Sequence, residues 1–197
     1  MNQSPDITAK SWGMIAALGM IWGATFLGIE LALKGLTPFW LAAGRIGMAS
    51  VLMALIQIFR RRSLMLTSDS SWPWGGLIFI GILSSALPFM LLSWGQQFVT
   101  SGFAGVSMAA VALMVLPLAH FLIPGEQMTW RKSLGFAVGF AGVLLLIGGQ
   151  AFESTGNSIE IYGRAACLGA AACYAVSSVL MRKLPTMDPI VLASVLL

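Results

Sequence analysis

Charged residues are scarce in this sequence. Only 9% of the 197 residues are Asp, Glu, Lys or Arg, whereas 58% are hydrophobic and the mean hydropathy is +0.88. A water-soluble domain carries far more charge, because its surface must be solvated. The composition therefore excludes a soluble protein and predicts an integral membrane protein.

Histidine and cysteine are also rare, which limits the chemistry that the chain can support. The segment around Ser107 weakly resembles a nucleophile elbow, but the single histidine, His120, lies 13 residues further along the same predicted helix, about 20 Å away. Cys167 and Cys173 lie six residues apart on different helical faces, too far apart for a disulfide. We therefore predict no catalytic residue, no disulfide and no metal site.

Motifs for nucleotides, cofactors and nucleic acids are missing as well. The sequence has no phosphate-binding glycine loop, no His-Glu-x-x-His motif and no paired membrane carboxylates. The net charge of +4 comes from short basic clusters between apolar runs, whereas a nucleic-acid interface needs a continuous basic face. We predict neither a cofactor nor a nucleic-acid partner, and an enzyme is disfavoured.

Long apolar runs are what the sequence does contain. Six runs each have about the length of 20 residues that a helix needs to cross a bilayer. A seventh run begins at Pro189. Thr37 and Asp188 stand immediately before prolines and Thr129 before another run, as helix N-caps do. We predict an all-α, polytopic membrane helix bundle. The predicted spans are 12–33, 38–59, 74–97, 102–123, 132–150 and 161–181.

Basic residues indicate the orientation of this bundle. If the N-terminus is cytoplasmic, eight of the 11 Lys and Arg residues fall on the cytoplasmic side, as the positive-inside rule requires. We therefore predict a multi-pass protein of the inner or plasma membrane with a cytoplasmic N-terminus. The eight residues are Lys10, Arg60, Arg61, Arg62, Arg131, Lys132, Arg182 and Lys183.

The pattern of the first two spans returns from residue 161 onward. Tyr162-Gly163 matches Trp12-Gly13, and the break before Pro189 matches the break before Pro38. Each copy would contain five spans, and an odd number of spans per copy makes the two copies inverted in the membrane. We predict a first five-helix repeat over residues 1–150. Residues 151–197 then form a loop, the sixth helix and the start of the seventh helix of a second, truncated repeat.

Prolines and small residues suggest where helices bend and pack. Pro88 and Pro117 lie deep in predicted spans, where each deprives the carbonyl four residues earlier, at Ser84 and Leu113, of its hydrogen bond. Such a bend either serves packing alone or lines a solute path. Four small-x-x-x-small pairs predict close helix packing. These pairs are Gly19/Gly23, Ala43/Gly47, Gly135/Gly139 and Ala165/Gly169.

A family resemblance covers nearly all of the chain. The matching residues, in order, are Trp22-Gly23, Phe26, Pro38, Arg45, Pro117, Glu126, Trp130 and Gly135-x-x-x-Gly139-x-x-Gly142. With these residues the chain resembles the EamA-type members of the drug/metabolite transporter superfamily. The resemblance implies ten helices in two inverted repeats and alternating-access transport of small organic solutes such as amino acids and other metabolites, frequently outward. A non-transporting assembly or scaffold protein is the alternative.

Length departs from the family pattern. The 197 residues hold one repeat and the beginning of the next, so we expect a fragment of a protein of roughly 300 residues. The alternatives are a truncated product and a half-size relative that dimerises. The expected partners are the lipid bilayer, a small-molecule solute and either the missing second repeat or a homodimer partner. The polar face of the sixth helix, with Tyr174, Ser177 and Ser178, should need that partner for burial.

Two ionisable residues within the membrane are functional candidates, because charge is expensive there. Glu30 and Arg45 lie at similar depths in the first two spans. They either form a structural ion pair, or Arg45 binds an anionic group of the solute and Glu30 couples transport to protons. The other substrate-binding candidates lie near the middle of their helices, where ordinary packing is the alternative. They are Trp22, Thr25, Phe26, Tyr174 and Ser177.

Overall fold

A computed structural model describes residues 8–60, 74–152, 159–184 and 188–197 of the chain. Within these ranges the chain consists of helices and turns and contains no strand. The helices are α1 Ala9–Ala32, α2 Pro38–Arg60, α3 Trp74–Gly95, α4 Ser101–Leu122, α5 Trp130–Phe152, α6 Glu160–Met181 and α7 Pro189–Leu196. Five of them, α1 to α4 and α6, are long and apolar enough to span a membrane. The predicted all-α, polytopic membrane bundle is confirmed.

Side-chain caps set where several helices begin. The side-chain oxygens of Thr37, Thr129 and Asp188 accept backbone N–H groups two or three residues later, at 3.5, 3.4 and 2.9 Å, as the sequence predicts. Thr8 and Thr100 cap α1 and α4 in the same way. Each cap satisfies an N–H that has no partner inside the helix. Arg61, Arg62 and the link 153–158 between the predicted repeats lie outside the described residues.

The α3 helix departs from regular geometry in its middle. Residues Ile82–Ala86 form a π turn, in which the N–H of Leu87 donates to the carbonyl of Ile82, five residues back. Pro88, two residues after this turn, explains the irregular geometry. It has no N–H to donate to the Ser84 carbonyl, and its ring crowds that carbonyl. The other interior proline, Pro117, lies within α4, which continues to Leu122.

Helix α6 is the most buried of the spanning helices and packs against α3 and α4. Small residues make this possible, since Ala166, Ala170 and Ala171 are buried along one side of α6. Ser177 is only 1% exposed. The prediction that the polar face of α6 needs a partner outside this chain is therefore wrong for Ser177, because α6 lies within the bundle.

The end of α3 and the start of α6 approach each other closely. A Cβ atom built on Gly163 would lie 2.8 Å from the Cβ atom of Phe98 and 3.0 Å from the Gly95 carbonyl oxygen, so only glycine fits. In the predicted small-x-x-x-small pairs, a Cβ atom added to Gly139 or Gly169 would lie at ordinary van der Waals distance from a leucine side chain of another helix. The other glycines of those pairs have open space beside them. They are Gly19, Gly23, Gly47 and Gly135.

Candidate solute site

A cavity of about 290 Å³ opens between α1, α2, α3, α4 and α6. This volume is at the lower end of the range of small-molecule sites. Ten described residues line it: Trp22, Thr25, Phe26, Ile29, Arg45, Ser84, Phe89, Leu92, Met108 and Tyr174. Most of these side chains are apolar or aromatic, with three hydroxyl groups and one cation among them.

One face of α1 forms the first wall of the cavity. Trp22, Thr25, Phe26 and Ile29 follow the spacing that places side chains on the same side of a helix. The Thr25 hydroxyl donates a hydrogen bond to the carbonyl of Ile21 at 2.8 Å, which leaves its oxygen to face the cavity only as an acceptor. Trp22 is 65% exposed, so this wall of the cavity reaches the surface of the described bundle.

The α3 helix holds this wall in place and contributes a second one. Gln96, at the end of α3, donates from its amide nitrogen to the Phe26 carbonyl at 2.9 Å. Ser84 and Phe89 line the cavity from either side of Pro88. The π turn shifts the register of the helix at this point, and π turns often occur at functional sites.

Arg45 supplies the only charge among the described lining residues. Its guanidinium carbon lies 4.3 Å from the centroid of the Phe89 ring, which is a cation–π contact. One of its terminal nitrogens, Nη1, is buried and has no hydrogen-bond partner within the described ranges. The site therefore contains a partly desolvated cation with unused hydrogen-bonding capacity.

The alternative of an Arg45–Glu30 ion pair is wrong. The Glu30 carboxylate instead accepts the backbone N–H of Ser101 at 3.2 Å, at the first residue of α4. The positive end of the α4 dipole and its unpaired N–H groups attract the carboxylate there. Glu30 is not a lining residue of the cavity, and its proposed coupling role remains a prediction.

The structure brings together five of the six predicted substrate-binding residues: Trp22, Thr25, Phe26, Arg45 and Tyr174. Ser177 does not belong to this group, because its buried hydroxyl donates to the Tyr174 carbonyl at 3.0 Å. Sequence reasoning missed the other five lining residues, which are Ile29, Ser84, Phe89, Leu92 and Met108. Only Ser84 and Phe89 carried a usable signal, since both belong to the bend predicted at Pro88, a candidate wall of a solute path.

His120 and Ser107 have local structural contacts that differ from catalytic ones. The Nδ1 atom of His120 accepts the backbone N–H of Met128 at 3.2 Å and so helps to shape the turn between α4 and α5. The Ser107 hydroxyl is buried and donates to the carbonyl of Phe103 within the same helix, at 2.8 Å. Neither contact joins His120 to Ser107.

Contacts at the two ends of α6 determine its direction in the bundle. Its last turn lies beside the α4–α5 turn, where Arg182 forms an ion pair with Glu126 at 2.8 Å. Its first turn carries Gly163, which lies beside the end of α3 and the start of α4. Helices α4 and α6 are therefore parallel, as the predicted topology requires of two even-numbered spans.

Comparisons with known proteins agree with the membrane architecture. The sequence profile of the EamA-like transporter family matches residues 10–148. An uncharacterized transporter of Archaeoglobus fulgidus is 27% identical over 138 residues, which cover 70% of this chain and 47% of that protein. The uncharacterized transporter YoaV of Bacillus subtilis is 23% identical over 165 residues, covering 84% of this chain and 54% of the relative.

A plant protein shows a similar relationship, since a WAT1-related chloroplastic protein of Arabidopsis thaliana is 26% identical over 177 residues, covering 89% of this chain and 41% of its own length. The chain spans about half the length of the curated relatives it matches. No solved structure matches the chain. The family profile covers well over half of the residues, and the chain belongs to the EamA-like transporter family.

Proposed function

We propose that this chain provides the first repeat and the sixth helix of a secondary transporter that exports small organic solutes. Its cavity is the solute site, and Arg45 binds an anionic group of the solute there. The observation that carries this proposal is the buried Nη1 atom of Arg45, which has no hydrogen-bond partner among the described residues and belongs to a cavity-lining side chain.

A buried guanidinium with free N–H groups favours a carboxylate or a similar planar anion. Two parallel N–H···O bonds between groups of opposite charge are among the strongest hydrogen bonds in proteins. The Phe89 ring contacts the guanidinium, and Nη1 keeps its N–H groups without a hydrogen-bond partner among the described residues. Trp22, Phe26 and Tyr174 offer apolar surface for the rest of the solute.

Transport would proceed by alternating access between two inverted repeats, residues 1–150 and a second repeat that begins in residues 151–197. The relatives are about twice as long as the matched region, which supports a second repeat of similar size. Trp22 lines the cavity and is exposed, and a second repeat packed against it would cover this wall. Such a repeat could move against the first one to expose the cavity to each side in turn.

Solute flux tests this proposal. Cells that express the complete coding region should export labelled organic acids faster than cells with an empty vector, and purified protein in liposomes should exchange them. A scaffold protein would change neither flux nor exchange. Unaltered flux over a broad panel of organic anions, with the protein present in the membrane, would contradict the proposed function.

The proposed orientation places the N-terminus and the α4–α5 turn in the cytoplasm. In a background without the native thiols of Cys167 and Cys173, Leu36→Cys and Gln127→Cys place single thiols in the α1–α2 and α4–α5 turns, and both side chains are exposed. An impermeant thiol reagent should label Leu36→Cys in intact cells and Gln127→Cys only after permeabilisation. The reverse labelling pattern would invert the topology.

A further inference from the structure

We infer that the cavity selects organic monoanions with an aromatic or apolar body over zwitterions and dianions of the same shape. This inference rests on the proposed function, in which Arg45 receives an anionic group. It adds a statement about the total charge of the solute, which follows from the charges and hydrogen bonds of the lining.

The described lining carries one positive charge and no negative charge. Arg45 is its single ionised side chain, and none of the other nine lining residues is acidic or basic. Glu30, the acidic residue of α1, accepts a hydrogen bond from Ser101 and is not part of the lining. The lining therefore has a charge of about +1 when Arg45 is protonated, as arginine is at physiological pH.

Charge balance then distinguishes the solutes. A monoanion bound to Arg45 makes the occupied cavity neutral. A zwitterion leaves an ammonium group without an anionic partner, and a dianion leaves one carboxylate without a cation. An uncompensated charge in a site that closes against water is costly, because the low-dielectric surroundings replace its hydration poorly.

The hydroxyl groups of the lining add to this discrimination. Thr25 donates its hydrogen to the Ile21 carbonyl at 2.8 Å, and Ser84 donates to the Gly81 carbonyl at 3.3 Å. Neither hydroxyl is free to donate to a second carboxylate. Besides Arg45, the donors that remain among the described lining residues are the Tyr174 hydroxyl and the indole N–H of Trp22, and neither carries a charge.

The aromatic side chains indicate the body of the solute. Trp22 and Phe26 lie on the α1 wall, Phe89 on α3 and Tyr174 on α6, so that an aromatic ring in the cavity meets aromatic surfaces from three helices. Aromatic pairs in edge-to-face or offset arrangements are favourable beyond their buried area. A phenyl group linked to a single carboxylate fits both features of the lining.

Four probes that share a 3-phenylpropanoyl unit test the inference. The complete carrier in lipid nanodiscs is titrated calorimetrically with 3-phenylpropionate, its neutral amide, phenylalanine and benzylmalonate, which differ in charge but share the phenyl body. We expect 3-phenylpropionate to bind at least about tenfold more tightly than each of the other three. Arg45→Gln should abolish this preference, whereas Arg60→Gln, at the exposed end of the same helix, should preserve it.

The outcomes separate the two proposals. If 3-phenylpropionate binds Arg45→Gln as tightly as the wild type, Arg45 is not the anion site and the proposed function fails at its central residue. If binding needs Arg45 but phenylalanine or benzylmalonate binds equally well, only the monoanion inference is overturned, since backbone carbonyls such as that of Ser84 would then compensate an ammonium. Binding of none of the four probes also overturns the inference.

Discussion

Arg45→Ala should abolish solute flux through the complete carrier while leaving its membrane insertion and expression close to the wild-type level. The physical reason is the absence of a carboxylate partner for Arg45 among the described residues, so its removal strands no buried negative charge. The bound solute, however, would lose its charge-assisted hydrogen bonds. Truncation of one member of such a pair costs about 2–5 kcal/mol, which corresponds to at least about 30-fold in binding.

Arg45→Lys should restore only part of this flux. Lysine keeps the positive charge, but it cannot form the two parallel hydrogen bonds of a guanidinium and stacks less well on Phe89. Flux is measured in liposomes at several solute concentrations, and the amount of folded protein is measured by size-exclusion chromatography. Arg60→Ala removes an exposed arginine from the same helix and serves as the matched control, with flux expected to be unchanged.

Two results would contradict the role of Arg45. Wild-type flux in Arg45→Ala would remove the residue from the solute site. A loss of folded protein as large as the loss of flux would instead indicate a structural role, in which the contact with Phe89 stabilises the packing of α2 on α3.

The helices could be predicted closely from the sequence because their limits depend on local chemistry. The predicted spans 38–59 and 161–181 correspond to Pro38–Arg60 and Glu160–Met181. A cap followed by proline, as at Thr37 and Asp188, determines the first turn whatever the helix packs against. The length of an apolar run is also a local property, so the membrane class followed from composition alone.

Tertiary contacts were harder to predict from the sequence, as Glu30 illustrates. Its depth in α1 matches that of Arg45 in α2, and depth can be counted along the sequence. The direction of a side chain around the helix axis, and the presence of another helix end nearby, cannot be counted in this way. The N-terminus of α4 offers Glu30 the N–H of Ser101, and the sequence pattern of α1 and α2 contains no sign of that neighbour.

Glycine packing shows the same limit. Four regularly spaced small pairs predicted close helix contacts, but Gly95 and Gly163, which leave no room for a Cβ atom, belong to none of them. Helix α6 packs against more of α3 than this one point, but glycine is needed only where an added Cβ atom would meet the neighbouring chain. The predicted internal repeat pairs Gly163 with Gly13, but this match predicted a second copy of the pattern and not a close helix contact.

Gly163→Ala should destabilise the bundle by about 1–3 kcal/mol, the usual cost of overpacking a well-packed site. The added methyl group would lie 2.8 Å from Phe98 Cβ, 3.0 Å from the Gly95 carbonyl oxygen and 3.3 Å from Val99 Cγ1. Two of these neighbours, a backbone carbonyl and a Cβ atom, cannot move without moving the chain. Thermal unfolding of the purified chain, followed by circular dichroism, measures the loss.

Gly169→Ala is the matched control, because it adds the same methyl group to the same helix. Its Cβ atom would lie 3.6 Å from Leu91 Cδ1, an ordinary contact with a flexible side chain. Alanine also favours the helix over glycine by up to about 1 kcal/mol, so Gly169→Ala should be neutral or stabilising. If both variants unfold at the wild-type temperature, the close approach of α3 and α6 at Gly95 and Gly163 does not hold the bundle together. A loss of stability in Gly163→Ala alone would establish that contact as a point where α6 is fixed against α3.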